Sequence, residues 1–147
     1  MAFPRLRPLL ACAALAFAAP ALAASGTQQF IAVLNGGQVV PPSSSRAFGV
    51  GYLTYDKALR RLCYTITYST LDGLETDAHL HGGEPGKTDA VFYDLTPLGG
   101  PKLGCVGPLK TKEVKLLMHG DTYINIHTVP WAAGEIRGQV LPMRTGR

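Results

Sequence analysis

The sequence lacks the motifs of several common protein classes. It has neither the GxSxG elbow of serine hydrolases nor the GxxxxGK[ST] loop that cradles nucleotide phosphates. No apolar run reaches the roughly 20 residues that a membrane-spanning helix needs. Hydrolase, nucleotide-binding and membrane-spanning assignments therefore have no motif behind them, and we expect no membrane span.

Charge is also scarce. Only 16% of the 147 residues are charged, and 14 basic against 10 acidic residues give a formal net charge of +4. Arg5 and Arg7 belong to the N-terminal segment, and without them 12 bases against 10 acids leave +2. The remaining bases are scattered along the chain. We therefore predict no nucleic-acid partner.

The N-terminal segment has the organisation of a secretory signal peptide. Met1–Arg7 carries two arginines and no acid, Pro8–Ala19 is a short apolar run, and Ala21-Leu22-Ala23 is a small-x-small cleavage pattern. We predict a signal peptide over residues 1–23, cleaved near Ala23. The protein is then periplasmic or secreted, and residues 24–147 form a single domain.

Cysteine is limited to three residues. Cys12 lies in the predicted signal peptide and ends a Leu-Leu-Ala-Cys box, so lipidation at Cys12 is an alternative to ordinary export. Cys63 and Cys105 remain, and in an oxidising compartment such a pair is more often bridged than free. We predict a Cys63–Cys105 disulfide, with two buried free thiols as the alternative.

The rest of the chain consists of short alternating segments separated by glycine, proline and serine. The predicted strands are Gln29–Leu34, Ala47–Asp56, Leu62–Ser69, Thr76–His81, Ala90–Leu95, Thr122–Thr128 and Glu135–Leu141. Only Glu113–His119 has a helical pattern, and we expect Pro97–Pro108 and Val129–Gly134 to be connections. Many short strands with almost no helix predict an all-β fold, an antiparallel Greek-key β-sandwich or barrel.

The histidines follow the alternation of these strands. His79 and His81 are two residues apart, so their side chains point to one face with Cα atoms about 6.5–7 Å apart. In the Thr122–Thr128 strand, Ile124 and Ile126 take the core face, which leaves His127 on the outer one. If the two strands are neighbours, the three rings share one exposed face.

Three neutral imidazoles that converge on one ion suit copper and, less well, zinc. We expect Asp77, Glu135 and Arg137 on the same exposed face around them, where a carboxylate can orient a ring nitrogen. The alternative is that the histidines are surface residues that hydrogen-bond to carboxylates and bind no ion. The glutamates are dispersed, and we predict no catalytic residue.

Four segments carry a resemblance to a known family. Ala32–Pro42 (AVLNGGQVVPP), Ala78–Gly82 (AHLHG), Tyr123–Thr128 (YINIHT) and Gly134–Val140 (GEIRGQV) resemble the chordin-type CHRD domain, from about Thr27 to Leu141. Bacterial members are typically exported single-domain proteins of undetermined function, and in animal chordin the repeats belong to an extracellular antagonist of growth factors. The resemblance implies an extracytoplasmic β-domain.

A more distant resemblance is to the copper-zinc superoxide dismutase barrel, and the predicted fold is superoxide-dismutase-like or immunoglobulin-like. That family has an HxH strand pair and a later strand histidine, matched here by His79, His81 and His127, and a returning arginine, matched by Arg137. The histidine-rich zinc loop is missing, since His119 is the only histidine between His81 and His127.

We therefore predict an exported binding or structural module with an unidentified extracytoplasmic protein partner and a copper or zinc ion on its histidines. The alternative is a copper-dependent, superoxide dismutase-like redox enzyme in which Arg137 attracts an anion. The first prediction is preferred because a fold shared with an enzyme does not carry over its activity.

Overall fold

The computed structural model of the chain describes residues 26–144, and the predicted signal peptide and Cys12 lie outside them. The strands are β1 (Thr27–Asn35), β2 (Phe48–Asp56), β3 (Arg61–Ser69), β4 (Glu75–Gly82), β5 (Val91–Asp94), β6 (Lys102–Val106), β7 (Thr122–Thr128), β8 (Trp131–Gln139) and β9 (Leu141–Pro142). Helix α1 spans Thr111–His119, and Gly36–Gln38 forms a 3₁₀ turn.

The strands form one antiparallel sheet that curls into a nearly closed barrel. Their order is β5-β4-β7-β8-β1-β2-β3-β6, and the short β9 pairs with β1. The predicted all-β antiparallel fold is confirmed. Because β4 and β7 are hydrogen-bonded neighbours, the strands that carry the three predicted histidine ligands lie side by side.

Alternation along the strands fills the barrel. In β3, Leu62, Tyr64 and Ile66 point inward and are buried, whereas Thr65 and Thr67 between and beyond them are exposed. The core is completed from the other strands by buried side chains such as Phe30, Leu34, Leu53, Leu80, Ile124, Ile126, Ile136 and Val140. Burial of each large aliphatic side chain contributes roughly 1.5–3 kcal/mol.

The structure corrects two of the predicted connections. Pro97–Pro108 contains β6, a strand that was missed because a lysine occupies an inward position and glycine and proline surround it. Val129–Gly134 is not a loop throughout, because β8 begins at Trp131 and only Val129 and Pro130 form the turn. The indole of Trp131 donates a hydrogen bond to Asp72 Oδ2 at 2.8 Å.

A buried ionic cluster bridges β4 to the β3–β6 side of the barrel. Lys102 Nζ lies 2.5 Å from Glu75 Oε1 and donates a second hydrogen bond to Pro97 O at 2.6 Å. The other carboxylate oxygen of Glu75 accepts hydrogen bonds from the Tyr68 hydroxyl and from the backbone N–H of Gly99. The side chains of Lys102 and Glu75 are 0% and 4% exposed, so the pair is removed from water and fully partnered.

The predicted disulfide joins Cys63 of β3 to Cys105 of β6. The two residues are directly paired in the ladder between these strands, and they are 42 residues apart in the chain. The bridge therefore fastens the β6 edge strand, which also carries Lys102, to the rest of the sheet.

Helix α1 begins at Thr111, two residues before the predicted start at Glu113. At its N-terminus the Glu113 carboxylate accepts a hydrogen bond from the Lys110 backbone N–H at 2.8 Å. The helix ends at Gly120, whose φ of 83° is left-handed and favours glycine. His119 is exposed at this end. Within residues 26–144 no helix has the length and apolar character required to cross a bilayer.

Candidate metal centre

His79, His81 and His127 form one cluster on the outer face of β4 and β7. Their ring centres are 5.5 Å apart for His79 and His81, 5.1 Å for His79 and His127, and 6.4 Å for His81 and His127. One ring nitrogen from each residue can be chosen so that all three lie within 4.8 Å of one another. The cluster thus comes from strand alternation and from the β4–β7 pairing together.

Hydrogen bonds to carbonyl groups define the tautomers of two of the rings. His81 Nδ1 lies 3.0 Å from Asp89 O, and His127 Nδ1 lies 2.9 Å from Ala132 O. A carbonyl oxygen only accepts, so each Nδ1 carries the proton and each neutral ring keeps a lone pair on Nε2. Imidazole can bind a metal ion through either nitrogen, and in these two rings the nitrogen with the lone pair is Nε2.

The third ring lies beside a carboxylate. His79 Nε2 is 3.5 Å from Asp94 Oδ1 at the end of β5, and no hydrogen bond joins the two. His79 Nδ1 is buried and has no partner within the described chain. In metal sites the ring orientation of a ligand histidine is fixed when its second nitrogen donates to a carboxylate or a carbonyl group, and His81 and His127 have this arrangement.

The cluster and Asn125 beside it contain most of the polar atoms that the described fold leaves without partners. In the described part of the chain, four buried side-chain polar atoms have no hydrogen-bond partner, and His79 Nδ1, His81 Nε2 and Asn125 Oδ1 are three of them. A buried acceptor without a partner costs roughly 1–3 kcal/mol. His127 Nε2 lies 3.2 Å from Asn125 Nδ2, a weak contact that an ion could displace. The donor set therefore fits a metal ion.

Burial also keeps two of the rings neutral. Desolvation lowers the pKa of His81, and the positive potential of His79, His127 and Arg137 lowers it further, against a raising hydrogen bond to Asp89. Desolvation likewise lowers the pKa of His127, and the hydrogen bond to Ala132 and the charge of Asp77 oppose it. Neutral imidazole is the form that binds a metal ion.

The expectation that this face is exposed is wrong for much of it. His81, Glu135 and Arg137 are only 8%, 0% and 2% exposed. The chain after β4 covers His81 and Arg137: Asp89 contacts His81 through its carbonyl group, and Glu84 O accepts a hydrogen bond from Arg137 Nη2 at 3.2 Å. Strand alternation predicted the direction of these side chains but not the segment that folds over them.

Glu135 does not orient a histidine in this structure. Its carboxylate accepts hydrogen bonds from Ser45 Oγ at 2.7 Å, Thr128 Oγ1 at 2.6 Å and the Asp72 backbone N–H at 2.8 Å. The pairing of β7 with β8 shifts register after Ile126, next to Glu135, and the Glu135 carboxylate links three separate segments of the chain. A regular strand pattern cannot reveal such a shift.

Asp77 and Arg137 lie near the cluster but do not contact its ring nitrogens. Asp77 is exposed and pairs with His127 across the strands. The Arg137 guanidinium carbon lies 3.5 Å from the centre of the Tyr123 ring, which stacks on His81 at 4.6 Å between ring centres with the planes 3° apart. Arg137 therefore reaches His81 only through Tyr123.

Sequence reasoning missed Asp94, Asn125 and the two carbonyl groups as partners of the rings. Asn125 could have been found, because it alternates with His127 on β7 and so shares its face. Asp94 had no such signal, because only the β4–β5 ladder, which pairs it directly with His79, brings it to the site. Every residue has a backbone carbonyl group, so the sequence cannot indicate which of these groups contact the rings.

One comparison with known proteins shows the family, and the other two add no relative. The family model described as the CHRD domain matches residues 30–140. This range includes all three histidines of the cluster, both cysteines of the disulfide and every strand from β2 to β8. No curated protein and no solved structure is significantly similar to the chain.

Proposed function

Because the chain belongs to the CHRD family, a family of extracellular modules, we propose that it is an exported binding module that holds one copper ion through His79, His81 and His127. The observation that carries the proposal is the convergence of three imidazole rings, two of which have a buried ring nitrogen without a partner. Zinc is the less favoured occupant of the same ligands.

The geometry supports a metal ion without a large rearrangement. Three nitrogens that surround one ion at about 2.1 Å each are about 3.4–3.6 Å apart, and the three nitrogens here lie within 4.8 Å. Rotation of the rings about their side-chain bonds would have to close a gap of up to about 1.4 Å. The ladders of β4 with β7 and β5 hold the backbones in place meanwhile.

The donor chemistry favours copper. All three ligands are imidazoles, both cysteines of the described chain are bridged, and no carboxylate oxygen belongs to the cluster. Nitrogen-rich sites bind Cu(II) more tightly than the other divalent first-row ions, including Zn(II), and oxygen-seeking calcium and magnesium fit poorly. Bound copper would supply a Lewis-acidic, redox-capable centre, while the chain keeps the rings neutral and oriented.

Export and the domain boundary belong to the same proposal. The disulfide and the CHRD match are consistent with an oxidising compartment. A mature chain that begins near residue 24 and lacks two hydrogens relative to the reduced protein would support both parts. Mass spectrometry of unreduced, exported protein measures both quantities, and two alkylatable thiols at Cys63 and Cys105 would contradict the disulfide in solution.

Copper loading tests the site directly. Full-length chain is expressed with export, purified and loaded with Cu(II), and we expect one ion per chain with imidazole nitrogen couplings in the electron paramagnetic resonance spectrum. His79→Ala, His81→Ala and His127→Ala should each remove or alter the signal. His119→Ala is the matched control, since His119 is exposed on α1 outside the cluster.

Two results would end the proposal: no stoichiometric copper on folded protein, or a spectrum unchanged by all three cluster substitutions. Tighter binding of zinc than of copper in competition would reassign the ion and keep the site. Superoxide turnover is assayed on the same loaded samples. Turnover that is lost with His127→Ala would favour the redox-enzyme alternative over the binding module.

A further inference from the structure

A cavity of about 320 Å³ lies beside Arg137, between the chain that follows β1 and the chain that follows β4. Its apolar walls include Val39, Val40, Pro42 and Pro85, and Arg137 is the only charged residue among those that line it. This volume is at the small end of the range for ligand-binding cavities. The cavity is therefore suited to a small molecule with an apolar body.

The charge of Arg137 is not balanced by the fold. Arg137 is 2% exposed, yet it forms no ion pair with any residue between 26 and 144. Its Nη2 donates to two neutral acceptors, Glu84 O at 3.2 Å and Gln139 Oε1 at 3.4 Å. Within the same range Nε and Nη1 have no hydrogen-bond partner from the chain and are not among the fully buried unpartnered atoms, so they reach solvent; the guanidinium otherwise packs on the Tyr123 ring.

A largely buried cation without an anion is costly, because water at its remaining nitrogens and neutral acceptors replace only part of the solvation that it loses. Arginine stays protonated under these conditions, so it cannot escape the cost by losing its charge. The other buried cation of the fold, Lys102, has its carboxylate at 2.5 Å. The contrast indicates that Arg137 is completed by an anion from outside the chain.

We propose that this cavity binds a carboxylate carried on a short branched or cyclic apolar group, with the carboxylate on Arg137. The free N–H groups of the guanidinium supply charge-assisted hydrogen bonds, which are stronger than neutral ones. The valine and proline walls take the apolar group. A free small carboxylic acid and the C-terminal carboxylate of a peptide share this chemistry.

The carboxylate site is separate from the metal centre. Arg137 lies 3.5 Å and His81 4.6 Å from the centre of the Tyr123 ring. Two groups at these distances cannot share one face of a phenol ring without overlap, so the ring lies between them. The carboxylate site consequently goes beyond the proposed function and does not depend on it.

Calorimetric titration of isovalerate into the full chain, without added metal and in a buffer free of carboxylates, tests this site. We expect saturable binding at one site per chain. Isovaleramide, which has the same shape and no charge, should bind at least about tenfold more weakly, because a charged hydrogen bond is lost. The same titration in the presence of the neutral chelator 1,10-phenanthroline should give unchanged affinity, which separates this result from the fate of the metal proposal.

Two variants locate the binding. Arg137→Gln removes the charge and should weaken isovalerate binding by about tenfold or more. Val40→Phe keeps Arg137 and fills the cavity from a half-buried wall position, so it tests the site even if Arg137→Gln does not fold. Both variants are first checked for native circular dichroism.

A valine-ending peptide and its C-terminal amide distinguish the two sources of carboxylate. Binding of the free-acid peptide with at least the affinity of isovalerate points to a chain terminus, and binding of isovalerate alone points to a small acid. The proposal is overturned if folded wild-type protein shows no saturable heat with either probe, or binds isovaleramide equally. It is also overturned if Val40→Phe retains full affinity, or if chloride or phosphate binds as tightly as isovalerate.

Discussion

Two buried polar clusters share strand β4 and are completed in different ways. Glu75, at the first residue of the strand, is enclosed with Lys102 and Tyr68, and each charged atom of the pair has a partner from the chain itself. His79 and His81, further along the same strand, are held by partners on one ring nitrogen and left without a partner on the other. The first cluster is closed by the fold, and the second is open to a ligand.

The difference shows how a functional site can be separated from a structural one. Burial alone does not do so, because Lys102 at 0% exposure is more buried than His81 at 8%. What distinguishes the clusters is the number of polar atoms that folding leaves unsatisfied. Since native proteins satisfy nearly all buried polar groups, the unpartnered ring nitrogens of His79 and His81 support the proposed metal site.

The largest loss of stability should come from removing one charged partner of the Lys102–Glu75 cluster. Lys102→Met leaves the Glu75 carboxylate buried without its cation, and we expect a loss of about 3–5 kcal/mol in the free energy of unfolding. Urea denaturation measures this loss. Lys115→Met, at an exposed position of α1, is the control and should change stability by less than about 0.5 kcal/mol. A loss below about 1 kcal/mol for Lys102→Met would mean that the pair is not essential to the fold.

Releasing the β6 edge should have the next largest effect. The Cys63→Ala and Cys105→Ala double variant loses a crosslink between residues 42 positions apart. In the chain-entropy model this costs roughly 4 kcal/mol, and measured losses are often smaller. Denaturation with and without reductant supplies the control, because reductant should destabilise the wild type and leave the double variant unchanged. Copper stoichiometry should not change, because the bridge lies on β3 and β6, away from β4 and β7.

Filling the open cluster should stabilise the protein. Copper at a concentration 100 times its dissociation constant should raise the free energy of unfolding by about 2.7 kcal/mol, because the ion binds the folded chain selectively. His81→Ala should abolish this gain, and His119→Ala should keep it. If copper stabilises His81→Ala as much as wild type, the ion is bound elsewhere.

The smallest effect is the response of the metal-free protein to pH. Burial lowers the pKa of His81 and His127 in the folded chain, so below about pH 6.5 the unfolded chain takes up protons first. The neutral rings therefore favour the folded chain fully above that pH. This stabilisation is lost as the pH falls from about 6.5 through the lowered pKa values of the folded chain. The charged groups that act on His81 are His79, His127 and Arg137, and those that act on His127 are His79 and Asp77.

Denaturation at a series of pH values checks this response. The His81→Gln and His127→Gln double variant should lose much of the decline between about pH 6.5 and pH 5, where carboxylates scarcely titrate. An identical slope in wild type and double variant would show that these rings do not sense pH. Asp77→Asn is a useful companion, since removal of its charge should lower the pKa of His127 further.

Much of the fold follows from local patterns. Strict alternation located β2 and β3, and Gly120 marked the end of α1. Lys102 shows where such patterns fail, because a lysine at an inward position contradicts hydrophobic alternation, and the carboxylate that makes it tolerable is 27 residues away. The prediction of where β8 begins was wrong for a related reason, because the pairing of β8 with β7 is irregular next to the turn.

The sequence by itself determined which way the histidines point, because side-chain direction along a strand depends only on the alternation of neighbouring residues. It also contained the CHRD motifs and the cysteine pair. Only the tertiary structure decided that β4 lies beside β7, that Glu135 is directed to other donors, and that the chain after β4 covers Arg137. These outcomes depend on contacts between segments far apart in the chain, and no local pattern encodes them.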